Sequence, residues 1–131
     1  MTTKEFKKKH GKLGNCSSTT LDIIVYYKSR HKKDREKIPE EMRFMLGRFG
    51  DLRLANGLVF NPVTEWHLHA WLEDDMWCYD FSNGNKAILP KARYYHLGEC
   101  KDVKLYSREA AIKKATETGI CGFWDFDKNI N

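Results

Sequence analysis

Alternation of apolar and polar positions is sharpest between Trp66 and Ser82. Read as a strand, Trp66, Leu68, Ala70 and Leu72 point to one side, and His67, His69, Trp71 and Glu73 to the other. A second run puts Trp77, Tyr79 and Phe81 on one face and Cys78, Asp80 and Ser82 on the other. Asp74-Asp75 predicts a two-residue hairpin turn in which partner numbers sum to 149, so that Leu72 faces Trp77, Ala70 faces Tyr79 and His69 faces Asp80. The apolar residues then share a core face, a base-stacking platform being the weaker role for the aromatic ones. On the other face a His and an Asp stand opposed, with Cβ atoms roughly 4.5–5.5 Å apart.

The remaining pattern supplies helices and further strands. Leu21, Ile24, Val25 and Lys28 follow helical spacing, and Ile23, Tyr26 and Tyr27 make the segment from Thr19 to about Lys28 apolar on most sides, which predicts a buried helix. Asn15, Ser17 and Ser18 are competent N-caps, and Asp22 complements the first turn. Residues 29–38 are charged, an exposed helix end or loop. Pro39-Glu40-Glu41 opens a short helix to about Arg48, ended by Gly50. Leu52–Phe60 reads as a strand with a bulge or turn at Asn56-Gly57, and Asn61-Pro62 turns the chain into the hairpin. A turn follows at Ser82–Asn85, at least one more strand lies between about 86 and 106 and is clearest at Val103–Tyr106, and Ser107 caps a last helix, Arg108–Thr118, closed by Gly119. The order predicts an α+β chain, an antiparallel sheet with helices segregated from it.

At 131 residues, 41% of them hydrophobic, one domain with one core is expected. No apolar run is long enough for a membrane span, and the first residues lack the apolar stretch of a secretory signal, so the expected location is cytoplasmic. Four cysteines at 16, 78, 100 and 121 show no CxxC spacing and are expected as free thiols. The net charge of +5 is concentrated. Residues 1–13 carry five lysines against Glu5, which is +4, and the remainder carries +1. This divides the chain into a basic flexible arm, 1–13, and a domain, 14–131. Such an arm is either a solvated terminus or a contact for nucleic acid or another polyanion.

Cys16 follows a glycine-broken segment at the expected helix start, where aligned N–H groups stabilise a thiolate and offer half of an oxyanion hole, with Asn15 as a side-chain contributor. An imidazole from His69, oriented by Asp80, would complete a nucleophilic triad. The competing assignments are an unreactive buried thiol at Cys16 and a structural His69–Asp80 pair. His67, on the same face as His69, is a second candidate base, and with His69 and Asp80 forms a possible three-ligand zinc or iron set; the expectation is no metal and no cofactor. Trp71 walls a substrate groove or covers the Cys16 helix, Cys78 packs opposite it, and Tyr94, Tyr95 and His96 are pocket candidates whose facing the sequence leaves open.

A Cys at a helix start followed by a hairpin bearing His69-Ala70-Trp71-Leu72-Glu73 and Tyr79-Asp80 resembles the transglutaminase-like branch of the papain-fold superfamily, and small bacterial and phage proteins share the layout. The likeness spans residues 14–84. It implies N-terminal helices packed on an antiparallel sheet with a C-terminal helix, and thiol-dependent acyl chemistry on a protein or peptide substrate through Cys16, His69 and Asp80. The sequence departs from that family in three places. Its hairpin is shorter, with His and Asp 80 − 69 = 11 apart; Ser17-Ser18 follow the Cys; and Phe81-Ser82, not Pro, follow the Asp. The alternative is a non-catalytic binding protein on the same scaffold that contacts nucleic acid or a host protein through its basic arm.

Overall fold

A computed structural model describes residues 13–43, 51–82 and 86–126, with residues 13–17 described in their backbone only. Residues 1–12 of the basic arm and residues 83–85 of the expected turn therefore lie outside the described residues, while Leu13 already belongs to the first helix. Three helices come first: α1 (Leu13–Tyr26), α2 (Lys32–Arg35) and α3 (Glu40–Arg43). Then follow β1 (Arg53–Asn61), β2 (Glu65–Glu73), β3 (Trp77–Asp80), β4 (Ala87–Pro90), α4 (Lys91–Leu97), β5 (Lys101–Ser107) and α5 (Arg108–Thr118). The strands form one antiparallel sheet in the order β4-β3-β2-β1-β5, so the chain is α+β as expected.

Strict alternation gives the sheet two unlike faces. On the first, Leu54, Leu72, Tyr79 and Tyr106 meet Ile23 and Ile24 of α1, Met42 of α3 and Ala111 of α5 in the main core. Arg108 closes the end of α1, its Nε and Nη2 donating to the Val25 carbonyl at 3.2 and 2.9 Å. Asn56 accepts the Phe123 backbone N–H at 2.8 Å on this side. The second face carries a smaller core of Ala55, Trp71 and Cys78, packed against Tyr94, Tyr95, Cys100 and Val103. This second core exists because the chain leaves one sheet edge at β4 and returns at the opposite edge in β5. Helix α4 lies on that crossing connection, and its tyrosines reach down onto Trp71.

The β2–β3 turn falls one residue later than expected. Leu72 pairs with Tyr79 and Glu73 with Cys78, so partner numbers sum to 151 and the loop is Asp75-Met76. The cause is the Asp74 side chain, whose Oδ1 accepts the backbone N–H groups of Met76 and Trp77 at 2.9 and 2.8 Å while Oδ2 accepts the Tyr79 hydroxyl at 2.5 Å. Asp74 is thus a buried strand-end cap. Because the slip is even, every side chain keeps its face.

Other boundaries also moved. α1 is already helical at Leu13, so Asn15, Ser17 and Ser18 lie within it rather than capping a helix at Thr19. Lys32–Arg35 adds a turn of helix in the charged segment, and α4 was not foreseen; the helix expected from Pro39 to Arg48 is seen over Glu40–Arg43, its remainder lying outside the described residues. The last helix matches: the Ser107 hydroxyl accepts the Ala110 N–H at 3.1 Å, and Gly119 closes it at φ 71°.

The expected irregularity at Asn56-Gly57 is a bulge in the β1–β5 pairing. A Cβ on Gly57 would lie 3.0 Å from both Trp71 Cη2 and Val103 Cγ2. Trp71 is fully buried and cannot yield, so Gly57→Ala is expected to lower stability by about 1–3 kcal/mol. The urea unfolding midpoint of the variant checks this, and an unchanged midpoint would show that the second core has slack.

Candidate functional site

His69 and Asp80 sit on the second face, diagonal neighbours rather than direct partners in the observed register. They meet nonetheless: His69 Nε2 and Asp80 Oδ2 are 2.7 Å apart, with both residues buried. An ionised carboxylate only accepts, so Nε2 carries the hydrogen of this contact. Asp80 gathers three further donors: the Tyr94 hydroxyl on Oδ2 at 2.9 Å, and the Ser82 hydroxyl and N–H on Oδ1 at 2.8 and 3.3 Å. Burial pushes the Asp80 carboxyl up, but the bond from His69, with the His69 charge and the bonds from Ser82 and Tyr94, outweighs it and holds the group below its ordinary value.

Beside this pair lies a second carboxylate that sequence reading did not assign a role. Glu73 is fully buried, and its Oε2 accepts from Trp71 Nε1 at 3.0 Å, the Tyr95 hydroxyl at 2.7 Å and the Cys78 thiol at 3.7 Å. Lys91 Nζ lies 3.0 Å from Oε1. Tyr94 and Tyr95, adjacent on α4, therefore each hold one carboxylate of the sheet. Their facing was unreadable in the sequence because KARYYHL reads equally as strand or helix. The alternation of His69, Trp71 and Glu73 was the available signal for Glu73.

The other candidates fall as follows. Trp71 has no exposed surface to offer a groove; its ring stacks 6.1 Å from that of His69 and lies 5.3 Å from Tyr94. His67 Nδ1 lies 3.2 Å from the Thr64 hydroxyl and 3.3 Å from the Glu65 carbonyl, and burial holds its imidazole below the usual value. Its ring is 5.9 Å from that of His69. Among the described residues no group of three or more His, Cys, Asp or Glu is arranged to hold a metal ion.

The thiols divide by face. Cys78 and Cys100 share the second face with His69 and are free. Burial, then the nearby Glu73, raises the Cys78 thiol far above the ordinary range, and burial pushes Cys100 up to about 11, so neither is set up as a thiolate. Cys16 lies in α1, and its side chain, like that of Asn15, is outside the described residues. Ile23 and Ile24 seat α1 on the first face, opposite the His69–Asp80 pair. Ser18 Oγ lies 3.8 Å from Cys121 Sγ, in the C-terminal segment that reaches Asn56 on that same first face.

No protein-family model, curated protein or solved structure matches the chain. Among the described residues no helix is long and apolar enough to cross a membrane.

Proposed function

We propose that the protein performs thiol-dependent acyl chemistry on a peptide, isopeptide or side-chain amide, within a papain-like, transglutaminase-like architecture. The observation that carries the reading is the buried 2.7 Å contact between His69 and Asp80. It anchors Nε2, orients the ring and favours the imidazolium that forms when a thiol proton is taken. In this mechanism Cys16 attacks the carbonyl carbon as its proton passes to His69. N–H groups of the first turn of α1 receive the oxyanion. His69 then protonates the leaving amine, and water or a second amine resolves the thioester. The mechanism uses no metal and no cofactor.

The reading requires the Cys16 thiol to come within hydrogen-bonding distance of the His69 imidazole, whereas Ile23 and Ile24 hold the following turns of α1 against the other face. Site-resolved alkylation by iodoacetamide between about pH 4 and 9 decides it. Cys16 is expected to react well below the free-thiol pKa of about 8.5 and to lose that behaviour in His69→Ala. Buried Cys78 and half-buried Cys100, both raised above the ordinary thiol value, serve as slow internal references.

The packing of α1 favours a second reading, in which His69, Asp80, Tyr94 and Ser82 form a structural polar network and the protein is a binder using residues 1–13. Cys16 then alkylates as an ordinary thiol with or without His69. Polyanion binding falls steeply with salt and disappears when the arm is deleted.

A further inference from the structure

We propose that Tyr94 is a positioning residue that weakens the grip of Asp80 on His69 and thereby sets the proton affinity of the imidazole. The inference deepens the His69–Asp80 reading above and rests on it for its catalytic meaning, though not for its geometry.

Two donors converge on one oxygen. His69 Nε2 lies 2.7 Å from Asp80 Oδ2, and the Tyr94 hydroxyl donates to that same oxygen at 2.9 Å. Each donor draws on the negative charge of Oδ2, so the tyrosine makes it a poorer partner for an imidazolium. The remaining oxygen is occupied by Ser82, which keeps the carboxylate from rotating to separate the two. Tyr94 is itself held in place: its ring packs 5.3 Å from that of fully buried Trp71, and its neighbour Tyr95 is tied to Glu73. The hydroxyl stays protonated because burial, followed by the charge of Asp80, drives its ionisation far above the ordinary tyrosine value. It is therefore a donor at any working pH. Other titratable groups share this face: His67 and Glu73 on β2, Cys78 on β3, Lys91 and Tyr95 on α4, and Cys100 after it. Tyr94 bonds the oxygen that His69 uses.

The experiment is imidazole NMR titration of the full chain, comparing wild type with Tyr94→Phe, Tyr95→Phe and Asp80→Asn. Removing the Tyr94 hydroxyl is expected to raise the His69 midpoint by about half a unit to one unit, the scale of one hydrogen bond to a charged form. Asp80→Asn is expected to lower it. Tyr95→Phe deletes the adjacent hydroxyl on the same helix but from Glu73, and is expected to leave His69 unmoved. An unchanged midpoint in Tyr94→Phe overturns the proposal. So does an equal shift in Tyr95→Phe, which would mean general loosening of α4. Alkylation of Cys16 in the same variants separates the two claims. If Cys16 is coupled to His69 its reactivity profile moves with the imidazole in Tyr94→Phe. If Cys16 behaves as an isolated thiol throughout, the thiol mechanism fails while the NMR shift still reports on Tyr94.

Discussion

Glu73→Ala is expected to lower folding stability by about 3–5 kcal/mol, the range for removing one partner from a buried charged cluster. The carboxylate is the common acceptor for Trp71, Tyr95 and Cys78 and the counter-charge for Lys91. Its loss strands an indole N–H and a phenol in an apolar core and opens a cavity between sheet and crossing helix. Lys91 is a third exposed and can turn to water, so the cost falls mainly on Trp71 and Tyr95. Glu73→Gln keeps an acceptor oxygen and should cost roughly half as much. Urea unfolding measures both, with near-ultraviolet circular dichroism reporting the Trp71 environment. A loss below about 1 kcal/mol for Glu73→Ala would mean that the donors find water and that α4 is not locked by this contact.

Under the proposed thiol mechanism, Asp80→Asn is expected to reduce acyl turnover by about 10²- to 10⁴-fold, since the amide cannot stabilise an imidazolium and permits the wrong tautomer. It should also change how the protein meets acid. The folded Asp80 carboxyl is held below its ordinary value by His69 and its other donors, against the effect of burial. Its unfolded value is about 3.9, so the unfolded chain takes up this proton first as pH falls. The stability Asp80 lends is therefore complete above that value and is lost as pH drops through the folded one. Wild-type stability should fall more steeply than that of Asp80→Asn between about pH 5 and 2, as urea midpoints would show. Parallel curves would contradict the hydrogen-bonded carboxylate. A variant that keeps full turnover would remove Asp80 from the chemistry.

Much of the site was legible because a strand has a period of two. His69, Trp71 and Glu73 had to share one face, and Asp80 had to join them in the expected register or any even slip from it. The local end signals of α5 were equally readable, since Ser107 and Gly119 act through bonds within a few residues. The turn position was not, because Asp74 and Asp75 are interchangeable as turn residues; burial of Asp74 under Tyr79 chooses between them.

Sequence alone thus determined which side chains lie together on each face of the hairpin, a matter of backbone geometry. Only the tertiary structure decided what covers each face. Helix α1 lies on the Leu54–Leu72–Tyr79 side, while α4, carried across from β4 to β5, delivers Tyr94 to Asp80 and Tyr95 to Glu73. No local pattern encodes that crossing. It follows from strand order and from the need of two buried carboxylates for hydroxyl donors, which distant residues supply.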